Sequence, residues 1–290
     1  MPSSLSAIRE AQAELGLPPE DDILGSKDTP MESQSIHAYS DHPTPCYKRV
    51  LLKVSGESLG NVYTLDTGEV ITFGLNDDRL EQVAREIVEA KNMLKVDFAI
   101  VTGGGNWWRG RSNNRMDSNQ SDYIGMLGTV QNGIALEDAL KQLGAEVRLN
   151  TTLGIRAVGE PFYPKPVKSD LDKGYIVICS GGLGEPGFTT DTTAAQRARG
   201  LDIPVVLYAK EGVNGIYTSD PKTDPNAKRI DELEHLDIVK RKLKVMDATA
   251  AAHAGEHGVD LVVYDGREPG ILIKVLCEPE KYGTMVRTAA

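Results

Sequence analysis

A lysine is the next-to-last residue of the first apolar run of the chain, which leads into a Ser-Gly turn. The run is KRVLLKV at residues 48–54, and its end reads Lys53-Val54-Ser55-Gly56. An ammonium group beside a loop of exposed backbone N–H groups suits a phosphate ligand, through its charge and through the amides. The alternative is that Lys53 binds no ligand. Its aliphatic stem would then cover the end of the strand while its ammonium group reaches water.

A glycine-rich segment follows the next apolar run, which is DFAIVT at residues 97–102. Gly103-Gly104-Gly105 come first, and Arg109 comes four residues later. Three glycines permit a ligand to approach the backbone closely, and an arginine can hold phosphate oxygens at two points. A tight turn with a surface arginine is the alternative. The segment has neither the GxGxxG spacing of dinucleotide-binding folds nor the GK[ST] of a P-loop.

A third glycine-rich segment, Gly181–Asp191, follows the apolar run YIVICS at residues 175–180. It closes with hydroxyl side chains and a carboxylate in front of an Ala-rich helix. Thr190 or Asp191 is a candidate N-cap of that helix. The same position directs backbone N–H groups of the first helical turn at an anion, so an anion site is the other interpretation.

Two shorter segments later in the chain are the remaining candidates for a functional site. In Val213–Pro221, Tyr217 followed by Asp220 suits stacking on a base and binding of a ribose, or the segment forms a plain turn. Asp247 is a candidate anchor for a catalytic lysine or for Mg²⁺, and otherwise an N-cap of a helix at residues 249–257. His253 and His257 lack a third metal ligand nearby, so a solvated helix face is the simpler interpretation.

The elements that must position these segments alternate between strands and helices. Apolar runs predict strands at residues 48–54, 97–102, 146–150, 175–180, 205–209 and 261–264, and helical spacing predicts helices at 77–94, 122–143 and 192–200. Strands that alternate with helices pair in parallel and are covered on both faces. Ligands of such α/β sheets sit beyond the carboxyl ends of the strands, where the glycine-rich segments lie.

The composition favours an enzyme of a reducing compartment over a nucleic-acid or membrane protein. The formal net charge of −10 argues against nucleic acid as a partner, because duplex binding needs an excess of Lys and Arg. Cys46, Cys179 and Cys277 are far apart in sequence and predict buried thiols, with no disulfide or zinc framework. No apolar run reaches the ~20 residues that span a bilayer, so we expect a cytoplasmic protein.

The chain divides into two parts by composition. Residues 1–46 are rich in Ser, Pro, Asp and Glu, and we expect them to form a flexible N-terminal extension. Residues 47–290 carry all the periodic elements and are expected to form a single domain.

Six motifs in this second part resemble those of the bacterial UMP kinases (uridylate kinases) of the amino acid kinase superfamily. They occur in the family's order and spacing between Tyr47 and Val286, and they read YKRVLLKVSGE, VTGGGNWWRG, SDYIGMLGTVQNG, GEPGFTTDTTAAQRA, NGIYTSDPKTDPNA and LKVMDATAAAHA. The resemblance implies a three-layer α/β/α sandwich around one open, mostly parallel sheet. It also implies transfer of the γ-phosphoryl group of Mg·ATP to UMP, giving UDP and ADP in pyrimidine nucleotide biosynthesis.

The resemblance also implies how the substrates divide the domain and how the enzyme is assembled. UMP would occupy the half at residues 47–200, and ATP the half at residues 201–290. Members of the family form hexamers as trimers of dimers. GTP usually activates them and UTP inhibits them.

Carried over by motif, the resemblance assigns roles to single residues. Lys53, Arg109 and Asp247 would be catalytic, with Asp247 orienting Lys53 and the Mg²⁺ that ATP carries. ATP would contact Lys53, Val54, Ser55, Gly56, Gly105, Arg109, Tyr217 and Asp220. UMP would contact Gly104, Asp122 through its ribose, Leu183, Gly184, Glu185, Pro186, Gly187, Phe188, Thr189 and Thr190. Mg²⁺ would have no dedicated set of protein ligands, and Asp247 is the one candidate.

Two alternative functions predict a different substrate or different site residues. Another kinase of the same superfamily would phosphorylate a carboxylate or a carbamate, and the SDYIGML and FTTDTT motifs argue against it. A non-catalytic nucleotide- or anion-binding storage protein on this fold would be expected to lose the phosphate-site lysine or arginine. Lys53, Arg109 and Asp247 are all present.

Overall fold

The computed structural model describes residues 43–110, 116–221, 223–241, 243 and 246–288. Most of the predicted extension at residues 1–46 lies outside them, so its flexibility stays a prediction. None of the helices within these ranges has both the length and the apolar character that crossing a bilayer requires.

The described residues form strands and helices that alternate along most of the chain. The strands are β1 (Arg49–Val54), β2 (Asn61–Thr64), β3 (Val70–Phe73), β4 (Asp97–Thr102), β5 (Val147–Thr151), β6 (Glu160–Pro161), β7 (Ile176–Ser180), β8 (Val205–Lys210), β9 (Ile216–Tyr217), β10 (Arg229–Ile230), β11 (Glu232–Glu234), β12 (Asp260–Asp265) and β13 (Thr284–Arg287). The α-helices are α1 (Asp77–Leu94), α2 (Ser118–Gln142), α3 (Pro164–Asp172), α4 (Thr190–Gly200), α5 (His235–Lys240), α6 (Ala248–Glu256), α7 (Ile271–Cys277) and α8 (Pro279–Tyr282).

One large sheet organises the domain, with the strand order β11-β13-β12-β8-β1-β4-β7-β5-β6. Neighbouring strands pair in parallel, except that β12 and β13 pair antiparallel. Two short antiparallel ribbons, β2–β3 and β9–β10, lie outside it. The prediction of an open, mostly parallel sheet is confirmed.

Helices cover the sheet on both faces. The evidence is that its central strands are buried throughout although successive side chains point to opposite faces. Leu51 of β1 and Val177 of β7 share one core with Ala194 of α4 and Ala250 of α6. Leu52, like the other residues of β1 that point the opposite way, is buried too. The helices α1 and α2 pack on the sheet outside the first core. The layers are therefore helix, sheet and helix, as expected.

Two helix starts differ from the predictions. α2 begins at Ser118 instead of Asp122, because Asp117 accepts hydrogen bonds from the first backbone N–H groups and caps the helix. α4 begins at Thr190, and its cap is Thr189 instead of Thr190 or Asp191. The hydroxyl of Thr189 accepts from the backbone N–H of Thr192 at 3.2 Å.

The cysteines differ from the expectation of three buried thiols. Cys179 on β7 is buried, as predicted. Cys46 is exposed and Cys277 is partly exposed, because they lie before β1 and at the end of α7, outside both cores.

Candidate active site

Neighbouring strand ends carry the glycine-rich and charged segments to one edge of the sheet. β8, β1, β4 and β7 are adjacent and parallel, so their carboxyl ends lie side by side. Val54 pairs with Thr102 on β4 and with Ala209 on β8, which aligns the ends of three strands. The backbone N–H of Gly103 then donates to the carbonyl oxygen of Val54 at 2.8 Å. The loops after β1 and β4 therefore start in direct contact.

These two loops approach each other so closely that side chains do not fit between them. A Cβ atom on Gly56 would lie 2.7 Å from the backbone nitrogen of Gly105, and one on Gly103 would lie 2.7 Å from that of Gly56. A Cβ atom on Gly104 would lie 2.4 Å from the carbonyl oxygen of Gly125 in α2. The protein itself requires glycine at these three positions, whereas for Gly103 and Gly104 the sequence alone suggested close approach of a ligand as the reason.

A buried ion pair lies at the end of β1. The Nζ of Lys53 is 3.0 Å from Oδ1 of Asp191, and both residues are buried. The other carboxylate oxygen accepts from the Nζ of Lys210 at 3.0 Å. Lys53 is the next-to-last residue of β1, Lys210 ends β8, and Asp191 lies in the first turn of α4. Two ammonium groups thus flank one carboxylate where the strands end.

The charges of this group shift the pKa values of Asp191 and Lys210. Burial alone would raise the pKa of Asp191, but the charges of Lys53 and Lys210 outweigh it and lower that pKa to about 2. Burial lowers the pKa of Lys210, and the nearby carboxylate of Asp191 offsets this only in part. The carboxylate is therefore ionised at neutral pH and holds both cations.

Asp247 is held by threonines and a helix terminus. Its Oδ2 accepts from the hydroxyl of Thr189 at 2.6 Å and from the hydroxyl of Thr192, and its Oδ1 caps α6 by accepting from the backbone N–H of Thr249 at 2.8 Å. Burial favours a raised pKa for Asp247, but these hydrogen bonds prevail and lower it. The ion pair of Lys53 is made by Asp191 and not by Asp247, so the role of Asp247 in orienting Lys53 stays a prediction.

Arg109 lies against the loop after β1 and pairs with a carboxylate there. Its guanidinium is 3.1 Å from Oε1 of Glu57, and its side chain is 56% exposed. The other oxygen of Glu57 accepts from the hydroxyl of Ser55 at 2.8 Å. Burial acts to raise the pKa of Glu57, but backbone and Ser55 hydrogen bonds, with the charges of Arg109 and Lys53, lower it. Arg109 is thus close to the phosphate-binding candidates but engaged with an anion of the protein.

Two buried asparagines fix the loop after β4. Asn132 of α2 donates to the carbonyl oxygen of Gly103 at 2.7 Å and to Oδ1 of Asn106 at 2.8 Å. Asn106 donates to the carbonyl oxygen of Gly74 at 2.7 Å, and the indole N–H of Trp107 donates to Asn132 at 2.8 Å. Both asparagines are fully buried. The glycine-rich loop is therefore held by a satisfied polar network.

The segment predicted to contact UMP forms the turn between β7 and α4. Gly184 and Gly187 have φ angles of +84° and +88°, which side-chain-bearing residues rarely adopt. The backbone N–H of Gly187 donates to Oδ2 of Asp122 at 2.7 Å. The carboxylate predicted to bind the ribose therefore lies against the turn predicted to bind the base.

Two cavities flank this turn, and Leu183 lines both. One is a cleft of about 570 Å³ between the turn, the segment at residues 151–164 and Arg197. The other, of about 260 Å³, lies among Glu185, Phe188 and side chains of α4 and α6. The ring of Phe188 is 52% exposed.

The segment predicted to hold adenosine follows β8. Tyr217 lies in the β9–β10 ribbon, and its hydroxyl donates to Oδ1 of Asn214 at 2.6 Å. The carbonyl oxygen of Asp220 accepts from the backbone N–H of Asp224 at 2.9 Å. Near the start of the segment, Glu211 pairs with Arg79 of α1 at 2.8 Å. The segment is thus anchored to the domain next to Lys210.

Four contributors to this edge were not identified from the sequence in these roles. They are Lys210, the ion-pairing carboxylate of Asp191, Glu57 and Asn132. A signal for Lys210 exists, since a second lysine lies at the end of an apolar run, much as Lys53 does. Which carboxylate meets the lysines depends on tertiary packing that local spacing does not contain.

Comparisons with known proteins agree with this architecture. Residues 48–265 match the model of the Amino acid kinase family. The chain is 43% identical over 243 residues to the uridylate kinase of Deinococcus radiodurans, covering 83% of this chain and 96% of that protein. The uridylate kinase of Pediococcus pentosaceus is also 43% identical over 243 residues, covering 83% of this chain and 97% of that protein.

Solved structures give the same result. The crystal structure of UMP kinase from Bacillus anthracis superposes with a TM-score of 0.77 at 37% identity, covering 84% of this chain and 97% of that chain. UMP kinase from Ureaplasma parvum superposes with a TM-score of 0.75 at 31% identity, covering 83% of this chain and 99% of that chain. The chain therefore belongs to the amino acid kinase family and, within it, to the uridylate kinases.

Proposed function

We propose that this chain is a UMP kinase that transfers the γ-phosphoryl group of Mg·ATP to UMP, giving UDP and ADP in pyrimidine nucleotide biosynthesis. The observation that carries the proposal is the group of Lys53, Asp191 and Lys210 at the carboxyl edge of the sheet. One anion between two cations leaves a net positive charge where an α/β sheet binds its ligands. The names of the relatives make UMP the acceptor.

The mechanism is direct in-line transfer without a phosphoenzyme. Phosphoryl transfer depends on positioning and on neutralisation of charge, which fixed cations and amides supply. Lys53 and Lys210 would hold the transferring phosphates, while Asp191 keeps the two ammonium groups in place. Arg109, once it leaves Glu57, would reach the same phosphates with two donors. Labelled phosphate that stays on the denatured protein after incubation with ATP would contradict direct transfer.

The two nucleotides would meet tail to tail above the strand ends. We assign ATP to the residues Lys53, Val54, Ser55, Gly56, Gly105, Arg109, Tyr217 and Asp220. We assign UMP to Gly104, Asp122 and the turn at residues 183–190. The contact between Asp122 and Gly187 supports this assignment, because it brings the ribose and base candidates together.

ATP-dependent phosphoryl transfer implies a divalent metal, and we propose Mg²⁺. The donor chemistry fits, because Mg²⁺ in such sites binds substrate phosphates and one or two carboxylates. Asp247 has a lowered pKa and lies against the first turn of α4, which also carries Asp191. Asp247 would hold the ion, which when bound neutralises charge on the phosphate oxygens.

Replacement of Lys53 tests the proposal. We expect Lys53→Ala to lower kcat with UMP by roughly 10²-fold or more, because one preorganised electrostatic group is lost. Lys165→Ala, at an exposed position of α3, is the matched control and should keep full activity. ATP consumption with UMP, CMP, aspartate and acetylglutamate identifies the acceptor. Absence of turnover with UMP would refute the proposed function.

The assembly and its regulation are further parts of the proposal. We propose a cytoplasmic homohexamer that GTP activates and UTP inhibits. We also propose that residues 47–290 form a single domain. Sedimentation of the full chain, with and without each nucleotide, tests the assembly, and initial rates with GTP or UTP test the effectors.

A further inference from the structure

Two cysteines that are 231 positions apart in sequence come together at the surface of the domain. Cys46 lies just before β1, and Cys277 ends α7. The thiol of Cys46 donates to the carbonyl oxygen of Cys277 at 3.3 Å. The backbone N–H of Cys46 donates to the carbonyl oxygen of Leu276 at 2.9 Å. Two hydrogen bonds thus hold the two residues side by side.

Solvent and small molecules reach this pair. Cys46 is exposed and Cys277 is partly exposed, whereas Cys179 is buried. Both accessible cysteines line one surface cavity of about 320 Å³. A small reagent in this cavity would contact both cysteines, whereas the buried Cys179 does not line it.

We propose that Cys46 and Cys277 are a modification site that forms a reversible intramolecular disulfide with a small-molecule disulfide as oxidant. The thiolate of Cys46 attacks one sulfur of the oxidant, forms a mixed disulfide and releases one thiolate. The thiolate of Cys277 then attacks the Cys46 sulfur, closes the protein disulfide and releases the second thiolate. The two protons from the cysteines end on the two released thiols, so the oxidant is reduced and the protein is oxidised by two electrons.

The surroundings of the pair set the rate of this exchange. Burial and the charge of Glu280 raise the pKa of Cys46, against the opposing charge of Arg287. Burial, Cys46 and Glu278 raise the pKa of Cys277. Tyr47, whose hydroxyl donates to Asp260, and Lys281 also line the cavity. Since only the thiolate attacks, the exchange should be slow at neutral pH and accelerate by about tenfold per pH unit below the thiol pKa.

The disulfide would join the start of β1 to the end of α7. A crosslink between residues this far apart in sequence restricts the unfolded chain strongly, and so it stabilises the folded domain. We expect the melting temperature of the oxidised protein to exceed that of the reduced protein by at least about 3 °C.

Peptide mapping of the full chain tests the proposal. The protein is incubated with oxidised glutathione at about pH 8.5, where thiolates are more abundant, then alkylated, digested without reduction and analysed by mass spectrometry. We expect a linked Cys46–Cys277 peptide, free Cys179 and reversal by reduced dithiothreitol. Cys46→Ser and Cys277→Ser should each abolish the linked peptide and the rise in melting temperature.

Two results would overturn the proposal, and a third would overturn the expected stabilisation. Glutathione adducts that persist on Cys46 without the linked peptide would show that the second sulfur does not reach the first. Crosslinks between two chains would assign the thiols to intermolecular chemistry. Equal melting temperatures of the oxidised wild-type protein and the oxidised Cys277→Ser variant would remove the structural consequence.

Discussion

The ammonium group of Lys53 lies 3.0 Å from Oδ1 of Asp191, and both residues are buried at the carboxyl edge of the sheet. A charge at this depth is costly unless it is paired, and the ion pair offsets the cost of burying the two groups. Lys210 reaches the second oxygen from the neighbouring strand. The carboxylate thereby fixes the spacing of two cations before any phosphate arrives.

Replacement of Asp191 by Asn keeps the shape of the side chain and removes its charge. We expect Asp191→Asn to lower kcat for UMP phosphorylation by roughly 10²-fold or more, because the two ammonium groups lose the group that positions them. The melting temperature should fall as well, since two buried cations then lack their counter-ion. Steady-state kinetics and thermal unfolding measure the two effects.

Asp202→Asn is the matched control for that variant. Asp202 is exposed, pairs with Lys168 at the surface and has a φ of 55°, which asparagine tolerates. The kcat of the Asp202→Asn enzyme should equal that of the wild type, because a surface ion pair contributes little to stability. An Asp191→Asn enzyme with the activity of the control would remove Asp191 from the proposed mechanism.

The central strands and α1 were predictable because their residues meet the same environment along their whole length. β4 is buried on both faces from Phe98 onward, so Phe98–Val101 are all apolar, and α1 has one buried stripe at helical spacing. The β2–β3 ribbon was not predicted, because Val62, Tyr63 and Val70 are exposed and give no alternation. β13 was not predicted either, since Met285 and Val286 are only two consecutive apolar residues, and their burial depends on pairing with β11 and β12.

The candidate site was predictable as a set of segments but less so as a set of contacts. The glycine-rich ends of β1, β4 and β7 meet because parallel pairing aligns them. The partner of Lys53 depends on how α4 packs under β1 and β8, and local spacing does not encode that packing. Asp191 and Asp247 illustrate this limit. Each lies at the start of an Ala-rich helix in the sequence, yet only Asp191 forms an ion pair with Lys53.

Release of Arg109 from Glu57 is expected to strengthen nucleotide binding. In the described structure the guanidinium is 3.1 Å from the carboxylate, so a phosphate must displace an anion of the protein. Glu57→Gln weakens this partly exposed ion pair and removes a charge that repels phosphate. We expect the KM for ATP or UMP to fall about two- to fourfold with kcat nearly unchanged, the scale of a surface ion pair. Initial-rate kinetics over both substrate concentrations measure it.

Glu69→Gln serves as the control for Glu57→Gln, because Glu69 is an exposed carboxylate in the β2–β3 ribbon. It changes the net charge by the same amount and should leave both KM values as they are. A rise in KM for Glu57→Gln, with no change for Glu69→Gln, would mean that Glu57 positions Arg109 for the ligand instead of competing with it.

Glu86 should make the stability of the domain depend on pH. Its carboxylate accepts from the backbone N–H of Gly270 at 3.3 Å and from Gln82 at 3.4 Å, and burial raises its pKa to about 7. A raised carboxyl pKa favours the folded state while the group is protonated. That stability is full below the unfolded pKa near 4.5 and is lost as the pH rises through 7.

Glu86→Gln removes this titration and keeps an acceptor for Gly270. We expect the variant to gain about 3 kcal/mol of unfolding free energy relative to wild type between about pH 5 and about pH 8. Urea unfolding at both pH values measures the gain. Glu89→Gln, on the same helix, should show no such difference. A Glu86→Gln curve parallel to the wild type would place the pKa of Glu86 near its ordinary value.

A methyl group at Gly104 should destabilise the domain by forcing apart the loop after β4 and α2. The added Cβ would lie 2.4 Å from the carbonyl oxygen of Gly125 and 3.1 Å from the backbone nitrogen of Thr129, and backbone atoms yield less readily than side chains. We expect Gly104→Ala to cost about 1–3 kcal/mol of unfolding free energy. Gly200→Ala, at the end of α4 with open space around its Cβ position, should be neutral or stabilising by up to about 1 kcal/mol. Urea unfolding of the two variants at one pH compares them directly, and equal free energies would mean that α2 moves away from the loop without cost.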